Sequence, residues 1–151
     1  MRLQISTSLA LYSVLEFAAN PERAISAADI AAKYEVSTHH LAKVLRELVR
    51  AGILESTRGV GGGYRFGGNV KRLTLMDVIE LFEDLGDRTG REHQPGASTN
   101  VGRALGVVLT EIDEIAEATF RSITVSTMLR LIARHGRTAG EQVPPKKTRR
   151  G

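Results

Sequence analysis

"SAADIAAKYEVSTHHLAKVLRELVRAGILESTRGVGGGYRF", residues 26–66, carries two helical patterns and then two strand patterns closed by a glycine run, with no long spacer between them. Ser26 is placed to cap a first helix. Asp29 three residues on supplies a carboxylate version of the capping box, and Ile30 and Ala31 give that helix an inward face. After Val36, Ser37 caps a second helix in which Leu41, Val44, Leu45 and Leu48 fall on one stripe, and Gly52 suits the position just past its end. "ILEST" and "GYRF" then read as short strands on either side of the glycines.

Working outward, residues 7–19 predict a preceding helix, with Leu11, Val14, Leu15 and Ala18 at i, i+3, i+4 and i+7. Asn20-Pro21 ends it, since proline disfavours helical geometry in the residue before it. A helix is expected over roughly 74–84, capped by Thr74 with Asp77 at the third position, burying Leu75, Val78, Ile79 and Phe82. "GDRTGREHQPGAS", residues 86–98, is polar and full of breakers, the pattern of a loop or hinge. A long helix over about 99–121 places Val101, Leu105, Val108, Ile112, Ile115 and Thr119 at 4-3-4-3-4 spacing, a heptad seam that needs a facing surface; a second copy of the chain is the simplest candidate. A shorter helix, 125–134, aligns Val125, Met128, Leu129 and Ile132. From residue 136 onward low hydrophobicity, two prolines and a basic cluster predict a disordered tail.

The expected fold class is therefore mainly α with a small β-hairpin. It comprises a winged helix-turn-helix over 1–84, a hinge loop over 85–98, a dimerisation helix and short terminal helix over 99–135, and a disordered basic tail over 136–151.

Composition bounds the function. The 151 residues suit one domain, and no run of 18 apolar residues predicts a membrane span. The first residues show no secretion-signal pattern, so a cytoplasmic location is expected. There is no cysteine, which excludes disulfides, thiolate zinc sites and cysteine-ligated clusters within this chain. Charge is divided unevenly: ten Lys/Arg against six Asp/Glu over residues 1–72, then six against ten over 73–135. A basic half beside an acidic half points to a polyanion partner for the first.

In a winged helix-turn-helix the second helix enters the major groove with its N-terminal residues toward base edges. Thr38, His39, His40, Lys43 and Arg46 all lie off the apolar stripe and are the candidates for that face, with Ser26 and Ser37 at the helix starts. The glycine run is not a nucleotide loop: no Lys-Ser/Thr pair follows it ahead of a helix, and G-x-G-x-x-G fits at no register. It reads as a wing, in which Gly59, Gly61 and Gly62 let the backbone turn and approach phosphate, while Arg58, Tyr64 and Arg65 contact DNA, Arg58 reaching a narrow minor groove. His93 with Glu92 and Asp87 is a conceivable metal set, but its spacing matches no ligand motif, and no metal site is assigned. No nucleophile elbow or paired catalytic carboxylates appear, so no enzyme is expected.

The segment 26–66, with "MRL" at the start and "LTLMDVIELFED" at 73–84, resembles winged-helix regulators of the IscR, NsrR and CymR type, the Rrf-two family; "VSTHHLAKVLREL" is similar to the NsrR branch. The resemblance covers residues 1 to about 84 by motif and 99–133 by pattern. It implies a homodimer built on the long helix, palindromic double-stranded DNA and transcriptional control, usually repression. For many members it also implies an iron–sulfur cluster held by three cysteines in the loop and the start of the long helix. Here that stretch has no cysteine, and Ser8 stands where some members carry an acidic ligand, so no cofactor is expected. The remaining alternative is a protein-interaction module whose acidic half docks a partner enzyme or a cluster-bearing paralogue through the same seam.

Overall fold

The computed structural model describes residues 1–59, 62–87 and 89–141, with side chains through residue 137. Its elements are α1 (Ile5–Ala19), α2 (Ala27–Tyr34), α3 (Thr38–Arg50), β1 (Leu54–Thr57), β2 (Gly63–Phe66), α4 (Leu75–Ile79), α5 (Thr89–Glu92), α6 (Asn100–Ser122) and α7 (Val125–Glu141). The mainly helical fold with one antiparallel hairpin is as expected from the sequence.

α1 is the hub. It packs against α3, α4, α7 and β2, so the narrow stripe read from the sequence widens. Thr7, Leu9, Ala10, Ser13, Val14, Phe17 and Ala18 are buried, whereas Leu11 and Leu15 are only half-buried. The Ser13 hydroxyl tolerates burial because it donates to the Leu9 carbonyl at 2.7 Å. From α3, Leu41, Leu45 and Leu48 are fully enclosed against this helix. Each contributes about 1.5–3 kcal/mol by its removal from water.

α2 is tied to α1 by Glu16, which accepts hydrogen bonds from Lys33 Nζ and the Tyr34 hydroxyl, both at 2.5 Å. Tyr12 stacks on Tyr34 beside them, ring centres 5.1 Å apart. Burial pushes the Glu16 carboxyl up, but the hydrogen bonds from Lys33 and Tyr34 and the Lys33 charge outweigh it and hold the group below its ordinary value.

α4 is shorter than the 74–84 expected. Its capping box forms as read, Thr74 Oγ1 accepting from the Asp77 N–H and Asp77 Oδ2 from the Thr74 N–H. After Ile79, however, Leu81 and Phe82 bond to the carbonyls three residues back, and the tightened turn ends the helix. Leu75, Met76 and Ile79 form a second small core with Phe120, Ile123 and Met128. This core holds the end of α6, assisted by an Arg121–Glu80 ion pair.

The 85–98 segment contains one helical turn, α5, which the breaker-rich pattern concealed; Arg91 within it pairs with Asp113 on α6. Gly102 permits this packing, because a Cβ there would collide with the Gly96 carbonyl oxygen and Ala97. α7 runs seven residues beyond the expected end, through Gly136 to Glu141. Residues 136–141, expected in the tail, thus continue α7 across Gly136 and Gly140: each glycine costs a helix only about 1 kcal/mol, too little to stop one already propagating. Residues 142–151 of the expected tail lie outside the described residues.

Candidate nucleic-acid interface

The turn between α2 and α3 is fixed by backbone chemistry. Glu35 adopts φ 54°, and its N–H bonds back to Ala31 and Ala32 while the Val36 N–H also reaches the Ala31 carbonyl. These bonds satisfy the Ala31 and Ala32 carbonyls and end α2, so that the chain turns into α3 within a few residues. Ser37 then caps α3, its Oγ accepting from the His40 N–H at 3.3 Å.

α3 is divided lengthwise. Leu41, Val44, Leu45 and Leu48 are buried. On the opposite side His39, Lys43, Arg46 and Arg50 are exposed at i, i+4, i+7 and i+11, one stripe of a 3.6-residue helix. Thr38 is exposed at the first position. His40 sits at the stripe's edge, half-buried, with Nε2 3.1 Å from Ser6 Oγ of α1. Arg50 is a member of this stripe that the sequence reading passed over; its place four residues beyond Arg46 was the available signal. Its pairing with Glu47 at 3.2 Å is exposed to solvent and contributes little.

The hairpin pairs Leu54 with Phe66, Glu55 with Arg65, Ser56 with Tyr64 and Thr57 with Gly63. Thr57 Oγ1 accepts from the Gly63 N–H at 2.8 Å and donates to the Gly63 carbonyl, closing the base of the wing. Gly59 adopts φ 102°, and its carbonyl accepts from the Gly62 N–H at 2.9 Å. Arg58 is exposed at this turn, while Gly61 lies outside the described residues. A third strand-like contact was not foreseen: Ile25 and Tyr64 exchange both backbone hydrogen bonds at 2.9 Å, stitching the wing to the segment that enters α2.

The candidate residues thus separate by position. His39, Lys43 and Arg46 share one solvent-facing side of α3, Thr38 is exposed at the helix start, and Arg58 is presented by the wing. Tyr64 instead turns edge-on to Phe17 of the core, ring centres 6.3 Å apart. Arg65 stands opposite Glu55 in register. Ser26 is the N-cap of α2, its Oγ accepting from the Asp29 N–H at 3.1 Å; this is one half of the capping box read there, and the return bond from the Ser26 N–H to the Asp29 carboxylate is absent among the described residues. The six seam positions of α6, Val101, Leu105, Val108, Ile112, Ile115 and Thr119, are all exposed, and no residue of this 23-residue helix is buried.

The sequence profile of the Rrf2 family, described as an iron-dependent transcriptional regulator, matches residues 3–131. Among curated sequences, the chain is 58% identical over 134 residues to a protein of Rhodopseudomonas palustris named as an HTH-type transcriptional regulator, BadM, covering 87% of this chain and 83% of that one. It is 39% identical over 84 residues to protein aau3 of Rhizobium meliloti, spanning about half of each, 56% and 54%. Among solved structures it superimposes on CymR of B. subtilis, the global cysteine regulator, with a TM-score of 0.70 at 22% identity, covering 87% of this chain and 98% of CymR. The T. potens IscR structure gives 0.68 at 19% identity, covering 96% and 93%. At these identities the structural likeness is one of fold.

The profile's description names iron, and any residues that could hold it here differ from a cysteine set. The chain has no thiolate, and among the described residues no three His, Asp or Glu side chains gather as metal ligands. His93 Nδ1 is hydrogen-bonded to the Thr89 carbonyl at 2.7 Å. Asp87 caps the same turn, accepting from the Thr89 hydroxyl and N–H, which hold its carboxyl below the ordinary value. These side chains serve the local turn. No helix among the described residues is long and apolar enough to cross a membrane.

Proposed function

Because this chain belongs to the Rrf2 family of transcriptional regulators, we propose that it acts as a homodimer on palindromic double-stranded DNA and represses by covering its site, without an iron–sulfur cluster. The observation that carries the DNA reading is the two-sided α3: a fully buried leucine face opposite a stripe of His39, Lys43, Arg46 and Arg50. An isolated charged helix face is ordinarily just solvated. This one follows a tight turn, leads into a wing that presents Arg58, and is fixed to the core along its other side. In such a frame Lys43, Arg46 and Arg50 meet phosphates and base edges, Thr38 and His39 face the groove, and Arg58 reaches the flanking minor groove.

The homodimer rests on α6. Val101 is 79% exposed and Ile115 60%, and the seam between them is continuous. A contiguous apolar stripe of this length is rarely left to water. Two copies joined along it present two recognition helices, which is why the DNA should be an inverted repeat. Repression is carried over from the family resemblance: a dimer across both half-sites would act by excluding other proteins from that DNA.

Selection of binding sequences from a random duplex library by the purified chain tests this reading. An enriched inverted repeat, retained without added iron, is the expected result. Enrichment of no sequence, with a partner protein captured through α6 instead, would favour the docking-module alternative.

A further inference from the structure

Ser6 lies in the first turn of α1, outside the helix-turn-helix, yet it is hydrogen-bonded across 34 residues of chain to His40 of the recognition helix, Oγ to Nε2, at 3.1 Å. His40 is half-buried where its neighbours His39 and Lys43 are exposed. Between α1 and α3 runs a groove lined by Ser6, His40, Lys43, Arg46, Arg50 and Phe82, with the Glu47 carboxylate among the cations. The imidazole therefore sits at the junction of the α1 contact and the cationic stripe.

The physical effect of the bond follows from side-chain torsions. Rotation about the second torsion of histidine is broad and roughly two-fold, so an unrestrained ring presents either edge. The Ser6 hydroxyl engages Nε2 and leaves Nδ1 as the ring nitrogen that can meet a base. Ser6 is itself held in place. The Gln4 N–H donates to Glu83 Oε1 at 3.1 Å, the Ser8 N–H donates to the Gln4 carbonyl at 3.0 Å, and Thr7 beside it is fully buried. The first turn of α1 is thus a fixed bracket against which the His40 ring is set.

We propose that Ser6 is a positioning residue for sequence recognition: it orients His40 so that one base pair in each half-site is read by the Nδ1 edge. Sequence preference at that position is then set by α1 as well as by α3. The inference rests on the DNA-binding reading above and adds to it a residue outside the reading helix.

The test compares sequence-preference profiles and salt dependence for the wild-type chain, S6A, S6T, H40A and the S6A/H40A double variant, with thermal melts to confirm folding. S6A should relax preference at a single position per half-site about tenfold and leave the salt slope unchanged. H40A should relax the same position, the double variant should be no worse than H40A, and S6T, which keeps the hydroxyl, should retain the wild-type profile. An unchanged profile in folded S6A would overturn the proposal. So would a uniform loss of affinity with a salt slope smaller by about one, which would make Ser6 a phosphate contact. If the wild-type chain itself selects no sequence, the DNA-binding reading fails and this inference with it, a result distinct from either of the others.

Discussion

Gly63 lies so close to Ile25 that a Cβ on it would stand 2.5 Å from the Ile25 carbonyl oxygen and 2.7 Å from its carbon. The obstacle is backbone, and that backbone accepts the Tyr64 N–H, so it has little room to give. Gly63→Ala should therefore push the wing off the α2 entry at about 1–3 kcal/mol, the usual range for overpacking. Urea unfolding measures the loss, and DNA affinity should fall with it. An unchanged midpoint would show that the wing is not stitched down here.

Glu16 makes the fold acid-sensitive in a defined window. Its folded-state pKa lies below the ordinary value of 4.5, so its contribution is fully present above that value and fades as pH falls through the lower, folded-state one. Glu16→Gln should cost about 1–2 kcal/mol near neutral pH, since the amide oxygen still accepts a neutral bond of about 0.5–1.5 kcal/mol in place of charged bonds of about 1.5–3 kcal/mol. The gap to wild type should narrow below about pH 4.5. Equal stabilities at neutral pH would remove Glu16 from the account.

The seam on α6 predicts a clean oligomeric phenotype. Ile112, 54% exposed in the single chain, would be enclosed by a partner helix. Ile112→Asp should weaken dimerisation at least about a hundredfold, because a buried carboxylate without a partner costs several kcal/mol. Sedimentation velocity should then show a folded 16.4 kDa species where wild type sediments at twice that mass. A dimer undisturbed by the substitution would place the interface elsewhere.

Ser26 separates capping from contact. Its Oγ already accepts the Asp29 N–H, so Ser26→Ala should lower stability by about 1 kcal/mol. The salt slope of DNA binding should be unaltered. A flattened slope at undiminished stability would give Ser26 to the phosphate backbone instead.

Much of this was legible in the sequence, and the limits have physical causes. The stripe of α3 was readable because one face of that helix is core and the other is water. α1 was only partly readable because several elements cover it, so Thr7 and Ser13 are buried where polar residues suggest surface. The roles of Tyr64 and Arg65 depended on strand phase, with Tyr64 and Phe66 turned inward and Arg65 outward, and the Ile25–Tyr64 contact that enforces this phase leaves no local pattern. The Ser6–His40 bond joins segments far apart in sequence, where no periodicity speaks. Arg50 was legible as the next member of the exposed stripe, four residues beyond Arg46, but it lies a turn past the N-terminal part of the helix that meets base edges.

The most direct measurement is equilibrium binding of the full chain to its selected duplex across a range of salt, for wild type and for Lys43→Ala/Arg46→Ala. Wild type should bind tightly with a steep negative dependence on salt. The double variant, still folded and dimeric, should lose at least about tenfold in affinity and show a slope shallower by about two, the equivalent of two phosphate contacts. Equal affinity and equal slope in the two proteins would mean that the exposed face of α3 does not meet DNA.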